Sequence, residues 1–153
     1  MKLLSDACEY GLRAVVWLAQ RPLEPHKAKD IAHGIEAASG YLVKVLQDLT
    51  KAGILSARRG SQGGFMLRVD PAVLTPLDVI NAIDPLERSL TNPPKSDGNT
   101  MAQCPIHRCI DDTLGMIEEN FRTVTIQDVI LGDTVPGRMP DAFQTPPLQT
   151  SGG

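Results

Sequence analysis

Apolar residues fall into short periodic blocks separated by proline and glycine. Leu4, Cys8, Leu12, Val15, Val16 and Ala19 recur at the three-and-four spacing of one helical face, which predicts a helix over Ser5 to Gln20. Ser5 is placed to cap it and Pro22 stops its continuation. Past Pro25, Ala28 to Gly34 reads as a short helix with Ile31 and Ala32 turned inward. Ser39 is expected to cap the next helix, whose apolar positions are Tyr41, Leu42, Val45, Leu46 and Leu49, with Gly53 as its stop. A short helix, a tight connection and a longer helix form the helix-turn-helix pattern.

The periodicity then changes. Ile54 to Arg59 and Phe65 to Val69 read as two strands, joined by a glycine-rich hairpin turn over Gly60 to Gly64. A hairpin directly after the second helix is a wing. Thr75-Pro76-Leu77-Asp78 opens another helix, with Thr as cap, Pro in the first position and Asp reaching back, ending before Pro85. Turn and loop composition fills Asn92 to Thr100. Cys104-Pro105 starts the longest helix, whose stripe is Ile106, Cys109/Ile110, Leu114, Ile117 and Phe121; Thr125 restarts a short one, Ile126 to Leu131. From Val135 the chain is Pro, Gly, Gln, Thr and Ser with few anchors, and disorder is expected there.

The predicted fold is therefore mostly α with a small β-hairpin. It comprises a winged helix-turn-helix domain (1–84), a flexible effector or sensor loop (85–103), C-terminal dimerisation helices (104–132) and a disordered tail (133–153). The stripe on the long helix asks for a hydrophobic partner that the small N-terminal domain need not supply, so a homodimer is expected through Ile106, Ile110, Leu114, Ile117 and Phe121.

Composition narrows the class. With six aromatics in 153 residues, the core must rest on aliphatic side chains. The longest apolar run, Ala14 to Ala19, is far too short for a bilayer, and the N-terminus lacks the pattern of a signal peptide. Three cysteines make no disulfide framework, which points to a cytoplasmic protein without membrane association. The net charge of −3 argues against a nucleic-acid binder only until it is localised. Between Ala38 and Asp70, Lys44, Lys51, Arg58, Arg59 and Arg68 face only Asp48 and Asp70, a surplus of +3. Local positive charge is what a phosphate surface needs.

A helix enters the major groove if one face packs and the other offers polar or basic side chains. With Leu42, Val45, Leu46 and Leu49 inward, Ser39, Gly40, Tyr41, Val43, Lys44 and Gln47 are left to solvent. Ser39 and Lys44 suit phosphate, Gly40 permits close backbone approach, and Gln47 or Tyr41 could reach base edges or backbone. Arg58 and Arg59, beside Gly60, Ser61, Gln62 and Gly63, put guanidiniums on a slim turn that suits the minor groove. The expected partner is double-stranded DNA. The competing readings are an amphipathic helix with a solvated face and a pair of merely solvated arginines.

Here the chain resembles the Rrf-type (IscR-, NsrR- and CymR-like) winged-helix transcriptional regulators over roughly residues 1–132. The likeness rests on Glu9-Tyr-Gly-Leu-Arg-Ala14, Gly40-Tyr-Leu-Val-Lys-Val-Leu46, Ala52-Gly-Ile-Leu55, Cys104-Pro-Ile-His-Arg108 and, most specifically, Arg58-Arg-Gly-Ser-Gln-Gly-Gly-Phe-Met-Leu67. It implies a homodimer on a palindromic promoter operator, usually acting as a repressor. Val43 stands where some relatives carry a base-reading Glu, so their operator sequence does not transfer.

Several relatives hold an iron–sulfur cluster on three cysteines near the start of the dimer helix. Only Cys104 and Cys109 lie in that region, and a cluster normally takes four ligands. His107, or Glu9 from the other subunit, could complete a set. Structural roles compete: Cys104 as a helix cap, Cys109 as a core-facing residue, His107 as a surface residue of the first turn. A redox thiol switch is a third reading. No metal or cofactor is the primary expectation. Cys8 is expected in the core, and His33 on the surface or at a cap. An enzyme is disfavoured, for want of a phosphate loop, a His-Glu-x-x-His motif or a nucleophile elbow. A winged helix used only for protein contacts is the remaining alternative.

Overall fold

The computed structural model describes residues 3–86 and 105–132. The expected sensor loop (85–103), except its first two residues, the thiol of Cys104 and the tail from 133 lie outside the described residues, as does the side chain of His107. The elements run α1 (Asp6–Ala19), α2 (Ala28–Gly34), α3 (Ser39–Lys51), β1 (Leu55–Arg58), β2 (Gly64–Leu67), α4 (Pro76–Ile83), α5 (Pro105–Thr123) and α6 (Ile126–Leu131).

α1 is capped as the sequence indicates: the Ser5 hydroxyl accepts from the Cys8 amide at 3.3 Å. Its fully buried face, however, is Cys8, Gly11, Ala14, Val15 and Leu18. Leu12, Val16 and Ala19 are only half-buried. The predicted stripe was rotated because Gly11 and Ala14 carry little hydrophobic signal, yet small side chains are what allow close helix packing.

α3 buries Leu42, Val45, Leu46 and Leu49, as expected from their spacing. Ser39 is not its cap. The cap position is Ala38, which makes no side-chain bond, and Ser39 is the first helical residue. The far end closes as predicted at Gly53, whose φ of +80° is left-handed. The Gly53 amide donates to the Thr50 carbonyl and Ile54 to Leu49, both at 3.0 Å, the paired bonds that finish a helix on glycine. The α2–α3 turn uses the same device without glycine. Glu36 takes φ +54°, and the Ala37 amide donates to the Ala32 carbonyl at 2.9 Å.

β1 and β2 pair antiparallel in the register Leu55 with Leu67, Ser56 with Met66, Ala57 with Phe65 and Arg58 with Gly64. Both strands are shorter than predicted. A third strand position is supplied from far upstream: His26 and Phe65 exchange backbone bonds of 3.0 and 2.7 Å. The wing is thereby tied to the segment preceding α2.

α4 and α6 carry complete capping boxes, Thr75 with Asp78 and Thr125 with Asp128. α6 then docks back on the loop before α4, where the Ile126 and Gln127 amides donate to the Leu74 and Pro71 carbonyls at 2.8 and 3.0 Å. Those bonds satisfy helix-start donors that would otherwise be orphaned. One aliphatic core joins α1, α2, α3, β1, the Leu74 loop, Val79 of α4 and Ile126 of α6. α5 packs along α4, and none of its described side chains is fully buried. No described helix is long and apolar enough to cross a membrane.

Candidate nucleic-acid interface

The outward face of α3 presents Ser39, Gly40, Tyr41, Lys44 and Gln47, all exposed, while Val43 is half-buried. No acidic side chain occupies the first turn of α3, so its amide ends and dipole face solvent uncompensated, an arrangement favourable to phosphate. Tyr41 was read as both an apolar and a surface position. It is 45% exposed, and its ring meets that of Tyr10 on α1 edge-to-face at 5.9 Å. Tyr10 is a contributor that sequence reasoning missed, since no local pattern links two residues on separate helices.

Lys44 is not a free cation. Its Nζ donates to Asp48 at 3.1 Å, and Lys51 reaches the same carboxylate at 3.5 Å. The hydrogen bond from Lys44, helped by the charges of both lysines, holds Asp48 below its ordinary 3.8. The two lysines and one carboxylate leave the helix face one net positive charge. Exposed pairs of this kind are weak, so Lys44 can be diverted to a phosphate at little cost.

The unneutralised charge lies on the wing. Arg58 ends β1 and Arg59 follows it, both exposed, and neither has an ion-pair partner among the described residues. The tip is a tight turn in which the Gly63 amide donates to the Gly60 carbonyl at 3.1 Å, leaving Ser61 and Gln62 outermost. Gly63 was expected at the interface and is instead buried, with its α-carbon against the Arg58 and Arg59 backbone. Gly60 is exposed. Ten of the eleven residues proposed to meet DNA are therefore on the surface, on α3 and on the hairpin that follows it.

The stripe expected to dimerise is partly bare. Ile106 is 58% exposed, while Ile110, Leu114, Ile117 and Phe121 are half-buried. Cys109 is exposed rather than core-facing, in a shallow depression with Arg108, Asp112 and Met116. Its place on the predicted stripe fails because Ile110, one residue on, takes the inward direction. Cys8 is buried as expected, with its thiol 3.7 Å from the Asp84 carbonyl. His33 and Glu9 are exposed. No group of three or more metal-ligating side chains assembles among the described residues. Cys8, committed to the core, does not share the exposed surface of Cys109.

A helix-turn-helix followed by an arginine-bearing glycine hairpin defines the winged-helix class of DNA-binding proteins. Comparison with known proteins takes this further. The Rrf2 family, described as iron-dependent transcriptional regulators, matches residues 4–131, and the chain belongs to that family. It is 28% identical over 131 residues to an Aquifex aeolicus (strain VF5) protein bearing the name "Putative HTH-type transcriptional regulator", covering 84% of this chain and 91% of that one. Among solved structures it is similar to T. potens IscR, with TM-score 0.69 and 25% identity over 92% of this chain and 93% of that one. The cysteine regulator CymR of B. subtilis shares the fold, with TM-score 0.67 and 22% identity over 88% of this chain and the whole of that one.

Proposed function

We propose that the protein is a cytoplasmic homodimeric repressor that binds a palindromic promoter site and has no enzymatic activity. The observation that carries this reading is the pair Arg58 and Arg59, exposed and unpaired among the described residues, on a hairpin beside the polar face of α3. The α3 face enters the major groove, with Ser39, Gly40 and Lys44 at phosphate and Tyr41 or Gln47 at base edges or backbone. The wing follows the adjacent minor groove, where Arg is favoured. Two-fold symmetry through the α5 stripe places the two recognition helices about one DNA turn apart.

The reading includes no resident metal, since Cys104 and Cys109 fall short of a cluster's four ligands. A signal acts by binding unequally to two arrangements of the dimer. Polarisation titrations of operator DNA at two salt concentrations test the core of the proposal. Affinity is expected to fall steeply with salt, because binding releases counterions. Arg59→Ala is expected to weaken binding by about 1–3 kcal/mol through loss of a directed groove contact. A flat salt response would instead favour a winged helix used for protein contacts.

A further inference from the structure

α3 carries one acidic side chain, Asp48, and it stands on the surface offered to DNA. Gly40, Lys44, Gln47 and Lys51 recur at steps of three and four residues, which puts them on one stripe of the helix. Asp48 borders that stripe and takes both of its cations, Lys44 Nζ at 3.1 Å on one carboxylate oxygen and Lys51 Nζ at 3.5 Å on the other. The two lysine side chains, 75% and 77% exposed, reach into solvent, whereas the carboxylate, at 23%, is the confined member.

Helix stability gives no reason for an acid at this position. The Asp48 carbonyl accepts from the Ala52 amide that closes α3, at 3.0 Å, so the side chain lies toward the end where the helix dipole favours cations. Its pairing with Lys44 puts the cation N-terminal, the less favourable orientation on a helix. A carboxylate on a face that meets phosphate also opposes binding in general. We propose that Asp48 is a specificity-determining residue, which holds Lys44 and Lys51 back from the phosphates of arbitrary sequence and releases Lys44 only when α3 is seated in its operator. The inference rests on the DNA-binding reading and deepens it.

The two lysines have separate parts. When α3 seats, Lys44 turns to a phosphate and Lys51 stays on the carboxylate, so no uncompensated anion faces the duplex. On arbitrary sequence the helix is held by charge alone, without base contacts to fix its register. A loosely placed phosphate then competes poorly with a carboxylate already in contact with the lysine. Arg58 and Arg59, which have no such partner among the described residues, supply charge to either complex. Asp48 thus lowers affinity for arbitrary DNA more than for the operator. That difference is a gain in discrimination, because arbitrary sites far outnumber operators.

The test uses two duplexes, the one that the full-length wild type enriches from a randomised pool and the same bases in shuffled order. Polarisation titrations are run on both over a range of salt. Asp48→Asn is expected to raise affinity for the shuffled duplex about fivefold at about 0.1 M salt and to steepen its logarithmic salt slope by about 0.9, the mark of one further phosphate contact. Affinity for the enriched duplex should change by less than about twofold, with its slope unaltered, because Lys44 is already on phosphate there. Adding Lys44→Ala should remove most of the gain on the shuffled duplex. Asp48→Glu, which keeps the carboxylate, should stay near wild type on both, and the Tm of Asp48→Asn should match that of the wild type. Equal gains on the two duplexes reduce Asp48 to a general charge effect and overturn the proposal, as does a gain that survives the loss of Lys44. Weaker binding to both duplexes with a lower Tm assigns Asp48 to helix stability and overturns it as well. Each of these results leaves DNA binding itself standing. A wild type that enriches no duplex, or binds DNA without regard to salt, overturns the DNA-binding reading and this inference together.

Discussion

Glu36 is the described non-glycine residue with a left-handed backbone, at the turn that orients α3. Its side chain is exposed, so nothing in its contacts repays the conformation. A β-carbon in this region costs about 1–2 kcal/mol, which glycine avoids at the expense of greater freedom in the unfolded chain. Glu36→Gly is therefore expected to stabilise the protein by about 0.5–1 kcal/mol, read as a rise of a few degrees in Tm by calorimetry. A lower Tm would show that the turn is held by interactions of the Glu side chain. The Ile35-Glu-Ala-Ala stretch gave no sign of this turn, since glutamate carries none of the usual signals for a left-handed position. The same holds for Ser39, a good cap by type that was displaced by one position when the turn ended at Ala38.

Among the elements, the wing depends on an approach too close for any side chain. Gly64, at φ +153°, would drive a β-carbon into the backbone of His26. Gly64→Ala should break the His26–Phe65 bridge and loosen the hairpin at a cost of about 1–3 kcal/mol. The expected readout is weaker operator binding, with faster amide exchange at Phe65 than elsewhere in the core. Unaltered exchange at Phe65 would count against the wing being anchored there. α6 illustrates capping with a pH consequence. The Thr125 amide and hydroxyl donate to Asp128 at 2.9 and 2.7 Å, and these bonds, the backbone one foremost, hold its carboxyl below the ordinary 3.8. A lowered folded value means the contribution is fully present above about pH 4 and is lost as pH falls through the folded value. Thr125→Ala removes the hydroxyl donor and keeps the amide, so it should lower stability at neutral pH and flatten in part the stability loss between about pH 4 and 2, as measured by urea midpoints. Parallel acid limbs in the two proteins would reject this role. The Thr75 box was legible beforehand, because caps are local in sequence, whereas at Thr125 only the restart of a helix was expected and the box with Asp128 is a finding of the structure.

At the scale of the molecule, none of the described side chains of α5 is fully buried, and the proposed homodimer would cover part of that face. Thermal unfolding should therefore depend on protein concentration, with Tm rising as the dimer is favoured. A Tm independent of concentration over a hundredfold range, with a monomeric mass at every point, would remove the assembly on which the two-fold reading of DNA rests. The same exposure explains why Ile106 was grouped with the half-buried stripe residues. Spacing reports which side chains share a face, not which of them the chain itself can cover.

What the order of residues determined alone is the set of local features. These are the six described helices and the hairpin, the caps at Ser5 and Thr75, the stop at Gly53, the inward face of α3, and the guanidiniums on the wing. Each depends on neighbours within a few positions, where periodicity, capping and turn chemistry act directly. Tertiary structure alone decided that α1 packs through Gly11 and Ala14, that His26 completes the wing, that Tyr10 meets Tyr41, and that Gly63 is hidden while Cys109 is not. Those outcomes depend on which surfaces meet across long stretches of chain, and helical spacing carries no information about the partner that a face will find.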